Sequence, residues 1–312
     1  MNRRDFLFRA GAAAMGLAAR PSLLGQTAPA ATTHGNPPPV TEFHTLRRNT
    51  GYFTGRGGTI GWMVNPDAIV TVDTQFPDTA LICLTDLPGR KGRKIDAVIN
   101  THHHFDHTSG NRVFRPEAHM LVAQKNVPEL QSAAFERSPS SEPPVFPDTL
   151  FPEVWRKDVG DEVVSAQYFG PAHTKGDIVV YFERANVLHV GDLVFNRIYP
   201  VVDHPGGASV LHWIKVLDDV AQSYPKDAQL ICGHGKPGFG VSLTMKDLAL
   251  QKDFFVALVA HVEAAIKEGR TKDEIVRLAN LPGFPDHAAD EKTSRLPGNL
   301  GAAYDELTSA SS

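Results

Sequence analysis

The stretch Thr101-His-His-His-Phe-Asp-His107 places four histidines and an aspartate within seven positions, and neither core packing nor a solvated surface asks for imidazole at that density. If His102 and His104 lie in extended backbone, their side chains share a face and His103 points the other way. Asp106 and His107 then fall in the following turn, near a helix through residues 108–114. The segment thus offers two ligand groups, His102 with His104 and Asp106 with His107, and one coordination sphere does not readily use all four. Two adjacent cations do, because a catalytic zinc takes about three protein ligands and keeps a position open for water.

The remaining ligands must come from farther along. Five apolar, strand-like runs each end in, or shortly before, an acid or a histidine: Asp73 after 68–72, His102 after 95–101, His173 after 163–169, Asp192 after 187–191 and His234 after 229–233. Groups outside the strand ends of an α/β sheet converge on one rim. On this reading His173 completes the first group, His234 the second, and Asp192 bridges the two. Gly and Pro flank His173 in Gly170-Pro-Ala-His-Thr-Lys-Gly-Asp177 and Gly flanks His234 in Cys232-Gly-His-Gly-Lys236, which suits backbone that turns tightly at a strand end. A lone histidine is more often a satisfied core or surface residue, so the others receive no metal role, and His103 only a packing or supporting one.

The rest of the pattern predicts a mixed α/β domain. Residues 59–64 and 68–72 read as a hairpin around Asn65-Pro-Asp67, with further strands at 95–100, 119–123, 163–169, 178–182, 187–190 and 229–232. Helices fit 77–87, 209–223 and about 243–267, and Thr271-Lys-Asp-Glu274 forms a capping box for one more. Residues 127–152 contain six prolines and read as one long surface loop.

The N-terminus reads differently. Arg3-Arg4 precede a short apolar stretch at 10–19 and a small-residue region at 27–30, which predicts an export signal of the twin-arginine type over 1–30, handled by the twin-arginine machinery and followed by a flexible leader at 31–41. Ten weakly apolar residues are too few for a membrane span, which needs about 20. The expected location is the periplasm or the exterior. Without residues 1–30 the chain keeps 27 basic against 34 acidic residues, a formal charge of −7, so nucleic acid is an unsuitable partner and a small-molecule substrate the expected one. Cys83 and Cys232 each lie in an apolar run and read as two buried thiols rather than a zinc pair.

In order along the chain, His102, His104, Asp106, His107, His173, Asp192 and His234 resemble the signature of the metallo-β-lactamase superfamily, His-x-His-x-Asp-His followed by a separate His, an Asp or Cys, and a final His, over residues 45–240. The resemblance implies a four-layer αββα sandwich of two mixed β-sheets with the site at one edge, spanning 42–307 with C-terminal helices from about 242. It also implies that Asp73 is a buried acid supporting the ligand loop. Asp at position 192 resembles glyoxalase II and the lactonases rather than true metallo-β-lactamases. Lactonases, however, place a tyrosine three residues after that Asp, where this chain has Phe195, with Tyr199 only further on. Nor does the region 242–312 resemble the glutathione-binding part of glyoxalase II.

The implied chemistry is hydrolysis. A hydroxide held by two zinc ions attacks the carbonyl of an ester, lactone, thioester or β-lactam, with Asp106 directing the nucleophile and the metal charge holding the oxyanion. Lys175, Asn196, Arg197, Tyr199 and Lys236 are the candidates for substrate contact. His and carboxylate ligands also accept iron or manganese, and a mononuclear iron oxidoreductase of the persulfide-dioxygenase type is the rival on the same fold, although that branch leaves part of the second group unused. A metal-binding module without catalysis is a third reading.

Overall fold

The computed structural model describes residues 39–140, 142–287 and 295–309. The predicted export signal, and the leader up to residue 38, lie outside them. Regular structure begins at β1 (Glu42–Thr45), followed by β2 (Thr50–Thr54), β3 (Ile60–Val64), β4 (Ile69–Val72), the helix α1 (Pro77–Asp86) and β5 (Ala97–Ile99). After two single helical turns, α2 (Phe105–Thr108) and α3 (Asn111–Phe114), come β6 (Leu121–Gln124), α4 (Val127–Arg137) and β7 (Thr149–Phe151). These strands form one sheet in chain order, antiparallel from β1 to β4 and parallel from β4 to β7.

The second sheet contains β8 (Val154–Val159), β9 (Glu162–Tyr168), β10 (Ile178–Phe182), β11 (Val187–Asn196), β12 (Gln229–Gly235) and β13 (Ser242–Leu243). Its only parallel pair among the described strands is β11 with β12, joined through α5 (Val210–Ser223). The chain closes with α6 (Met245–Lys267), α7 (Lys272–Ile275) and α8 (Leu296–Ser309).

Strand alternation sorts the apolar side chains into three cores. Val70 and Val72, Ala97 and Ile99, and Val122 face Val164, Ala166, Ile178, Val180 and Ile231 across the gap between the sheets. The intervening residues Ile69, Val98 and Leu121 pack outward with Ala80, Cys83, Leu84 and Phe114 from α1 and α3. On the other side, Leu188, Val190, Leu230 and Cys232 pack with Trp213, Val216, Phe254, Leu258 and Leu300 from α5, α6 and α8. The result is a four-layer αββα sandwich of two mixed sheets. Each layer's apolar face is covered, so the central strands β4, β5 and β11 are buried along their whole length.

The interval 127–152 differs from its expectation. It is not one loop, since α4 and β7 occupy its two ends. Pro128 sits in the first turn of α4, where a missing N–H costs nothing, so that proline marks a helix start. Two other elements shift. Backbone 101–103 is a bend rather than an extension of β5, and β11 continues through Asp192 to Asn196. Edge strand β8 and the first hairpin, β1 with β2, had no counterpart among the predicted elements. The cysteines are free and buried.

Candidate metal centre

Both sheets direct their parallel strand ends to the same rim. Asp73 follows β4, the bend after β5 presents His102 to His104, α2 carries Asp106 and His107, and the turn between β9 and β10 carries His173. Asp192 lies within β11 at an irregularity in its pairing with β12. Its neighbour Gly191 has φ +51°, and a side chain there would meet Thr101 at 2.8 Å. The left-handed kink therefore brings Asp192 toward the ligand bend of the other sheet. His234 lies near the end of β12.

These positions form two adjacent groups. Possible ligand atoms of His102, His104, His173 and Asp192 all lie within 4.8 Å of one another, and so do those of Asp106, His107 and His234. Asp192 reaches into both. Its Oδ2 is 3.5 Å from His173 Nε2 and 3.5 Å from His234 Nε2, and its Oδ1 is 3.2 Å from His107 Nε2. His102, His107, His173 and Asp192 are buried, whereas the side chains of His104, Asp106 and His234 keep 23%, 30% and 25% of their exposure. The cluster thus opens to solvent on the side ringed by those three.

The hydrogen bonds behind the imidazoles decide which nitrogen faces inward. His173 Nδ1 donates to the Val201 carbonyl at 2.8 Å, His107 Nδ1 to Asp73 Oδ2 at 2.7 Å, and His104 Nε2 to Asp203 Oδ2 at 2.8 Å. The Thr101 hydroxyl donates to Asp73 Oδ2 at 2.7 Å, which leaves its lone pair for His102 Nδ1–H at 3.0 Å. With the outer nitrogen so committed, each ring turns its other nitrogen into the cluster and offers a lone pair there when neutral. His104 Nδ1 and His173 Nε2 meet at 3.0 Å, so two inward-facing ring nitrogens converge on one space. His102 Nε2 is buried and makes no hydrogen bond. An unpartnered buried nitrogen among converging imidazoles and carboxylates matches what a cation requires, so the residues fit a metal pair.

Electrostatics divide the groups in the metal-free chain. Burial pulls His102 well below the ordinary imidazole range, with His107 adding to the effect, and burial with His104 lowers His173 to about 3. For His107 and His234 burial also opposes charge, but Asp192 outweighs it at both, joined by Asp73 and Asp106 at His107 and by Asp106 at His234, and both rise. Asp106 and Asp192 are held low by those same imidazoles despite burial. In the first group His102 and His173 are therefore neutral imidazoles beside one carboxylate. In the second, the raised His107 and His234 pair with Asp106 and Asp192 through protons that a cation would displace.

Asp73 is fully buried and accepts from Thr101 N, Thr101 Oγ1 and His107 Nδ1. Its carboxylate ties the bend to α2 and supports one histidine of each group. His103 is also buried, with Nε2 3.4 Å from Asp203 Oδ2.

Two proposed substrate contacts need correction. Tyr199 is 2% exposed, its ring packed in the helical core against Phe254 and His287. Asn196 is buried and donates to the carbonyls of Phe239 and Gly240, fixing the loop after β12. Neither presents a free side chain to a ligand. Arg197 pairs with Asp247 and lies over Phe239, and Lys236 donates to the Asp286 carbonyl. Lys175 is exposed. Sequence reasoning missed Thr101, Asp203 and Phe195, whose ring stacks on His234 at 5.7 Å and touches His173. Thr101 lies inside the motif and Phe195 stands three residues after Asp192, whereas Asp203 carries no spacing signal.

Known proteins agree with this architecture. The family model described as the metallo-beta-lactamase superfamily matches residues 72–234, which spans the site from Asp73 to His234. Hydroxyacylglutathione hydrolases of Brucella ovis and Brucella abortus are each 25% identical over 167 residues, covering 51% of this chain and 58% of theirs. The chain thus spans little more than half the length of these curated relatives. Among solved structures, an inverting sec-alkylsulfatase from Pseudomonas sp. shares the fold at TM-score 0.64 and 18% identity over 86% of this chain and 50% of its own. A metallo-beta-lactamase from Pontibacter korlensis does so at TM-score 0.56 and 18% identity over 70% of this chain and 99% of its own. With its matched segment covering more than half of its length, the chain belongs to the metallo-beta-lactamase superfamily.

Proposed function

We propose that this chain is a metal-dependent hydrolase that holds two zinc ions and cleaves an ester, lactone, thioester or β-lactam. The observation that carries the reading is the reach of Asp192 into both groups, with its Oδ2 3.5 Å from His173 Nε2 and 3.5 Å from His234 Nε2. His102, His104 and His173 would hold the first cation, Asp106, His107 and His234 the second, and Asp192 both. When bound, such a pair supplies a water activated at neutral pH and a Lewis acid for the scissile carbonyl.

The chain's own residues do the rest. Asp106 is the carboxylate on the open side, 3.1 Å from His234 Nε2, and is placed to accept a proton from a water entering there. Asp73, Thr101, Val201 and Asp203 keep the imidazoles oriented without reorganisation during turnover. Phe195, stacked on His234 and against His173, walls the site on the β11 side and excludes water.

Relatives named for a thioester hydrolysis and neighbours named for β-lactam and sulfate-ester cleavage support the reaction class and leave its substrate to experiment. The chain is also proposed to form its catalytic domain over 42–307 and to reach the periplasm or the exterior by twin-arginine export, on the strength of Arg3-Arg4 and the short apolar stretch after them. No helix among the described residues is long and apolar enough to cross a membrane.

Zinc-loaded protein tested on nitrocefin, esters, lactones and thioesters is expected to hydrolyse at least one class. Two metal equivalents with no turnover in the panel would overturn the hydrolase reading, and one iron per chain with oxygen consumption would replace it by the oxidoreductase.

A further inference from the structure

Among the described imidazoles of the first group, His104 points Nδ1 inward while its partner His173 points Nε2 inward, 3.0 Å apart. An Nδ1-facing ring is short-armed, so its geometry depends on what holds the opposite nitrogen. That nitrogen, Nε2, donates to Asp203 Oδ2 at 2.8 Å. We infer that Asp203 is a positioning residue of the first group, whose carboxylate fixes His104 in the tautomer and ring orientation that turn Nδ1 toward His102, His173 and Asp192. The inference rests on the metal-centre reading above and deepens it.

Three observations beyond that contact support it. First, Asp203 is itself fixed, since its Oδ1 accepts the Gly206 N–H at 3.0 Å and caps a short helical turn at His204–Gly206. Second, the same segment holds the other histidine. Asp203 N donates to the His173 carbonyl at 3.3 Å, and the Val201 carbonyl accepts from His173 Nδ1. Residues 201–203 therefore set the positions of His104 and His173 together. Third, position 206 is shaped around the carboxylate, for a Cβ on Gly206 would lie 2.1 Å from Asp203 Oδ2. The division of labour is clear: Asp73 supports His107 directly and His102 through Thr101, and Asp203 supports His104.

His103 Nε2 also lies 3.4 Å from Asp203 Oδ2, and His103, His104 and Asp203 are close enough for a cation of their own. Such an ion would need both ring nitrogens of His104 deprotonated while Nδ1 serves the first group. A hydrogen bond from Nε2–H avoids that cost, which favours the positioning role.

The test is a titration of metal-free, full-length protein with cobalt(II), followed by visible absorption and metal analysis, for the wild type, Asp203→Ala, Asp203→Asn and Gly206→Ala. Wild type is expected to bind two equivalents. Asp203→Ala should weaken one of them by about ten- to a hundred-fold, the usual effect of losing such a support, and leave the other within about threefold. Asp203→Asn should fall between, because its amide oxygen still accepts from Nε2–H. Gly206→Ala should copy Asp203→Ala, since its methyl group displaces the carboxylate. Two equivalents bound by Asp203→Ala as tightly as by wild type would overturn the inference while leaving the metal centre intact. Equal weakening of both, with a lower melting temperature of the metal-free protein, would reduce Asp203 to a folding role. A third equivalent in wild type that vanishes in Asp203→Ala would establish the separate ion instead. Wild type that binds no cobalt would sink the metal-centre reading itself.

Discussion

His104 Nδ1 and His173 Nε2 face each other at 3.0 Å, and each has its other nitrogen committed to an acceptor, Asp203 for His104 and the Val201 carbonyl for His173. Both lone pairs therefore point at the same space. The arrangement is unfavourable unless something positive, a proton or a metal cation, shares it.

Asp192→Ala should reduce tight metal binding at both positions, because one carboxylate lies within 3.5 Å of imidazole nitrogens from each group. Metal content after gel filtration should drop below one ion per chain, and hydrolysis should fall by at least about a hundred-fold. Retention of two ions would show that the carboxylate is dispensable.

Asp73→Ala should be costly even without metal. Three donors, Thr101 N, Thr101 Oγ1 and His107 Nδ1, lose their acceptor in a fully buried place, and each unsatisfied group costs about 1–3 kcal/mol, not additively. Urea denaturation of the metal-free protein is expected to show a loss of about 3 kcal/mol or more. Asp73 also has φ +63°, which Asn tolerates better than Ala, so Asp73→Asn should lose less.

Tyr199 separates packing from substrate binding. With its ring in the core between β11 and the C-terminal helices, Tyr199→Phe should leave kcat/KM within about threefold. Tyr199→Ala should lower stability by about 3–5 kcal/mol, as truncation of a buried aromatic does. A large change in kcat/KM for Tyr199→Phe at unchanged stability would restore it as a substrate contact.

His287 predicts an acid-sensitive component of stability. Burial, with Arg197 and Lys236 nearby, lowers its pKa from 6.5 to about 4. The unfolded chain therefore binds the proton more readily than the folded one between those values, and stability falls as pH drops from about 7 toward 4, by up to about 3 kcal/mol. In metal-free protein His287→Phe should flatten that part of the slope in urea midpoints measured at pH 7 and 4.5. An unchanged slope would place the acid sensitivity elsewhere.

Much of the local structure was legible because it is periodic. The apolar runs at β4, β5, β10 and β12 stand out, as do the apolar spacing of α5 and α6 and the capping box at Thr271 and Glu274 that opens α7. Elements without such marks were not. Edge strand β8, Val-Trp-Arg-Lys-Asp-Val, alternates between exposed and partly buried positions and contains three charged residues, so its strand character comes from pairing with β9. The start of α4 was hidden by Pro128, which signals a break only when the rest of the turn is unknown. Asp203 had no signal at all, since one aspartate before His-Pro-Gly-Gly looks like any turn.

The sequence by itself determined which side chains are available and how they are grouped: His102 with His104, Asp106 with His107, and single residues at 173, 192 and 234, because ligand type and close spacing are properties of the chain. Only the tertiary structure decided that these groups meet, that Asp192 reaches both, and that His104 presents Nδ1 while its neighbours present Nε2. Those relations depend on two sheets packing face to face and on acceptors such as Asp73, Val201 and Asp203 arriving from distant segments, which no local pattern of residues specifies.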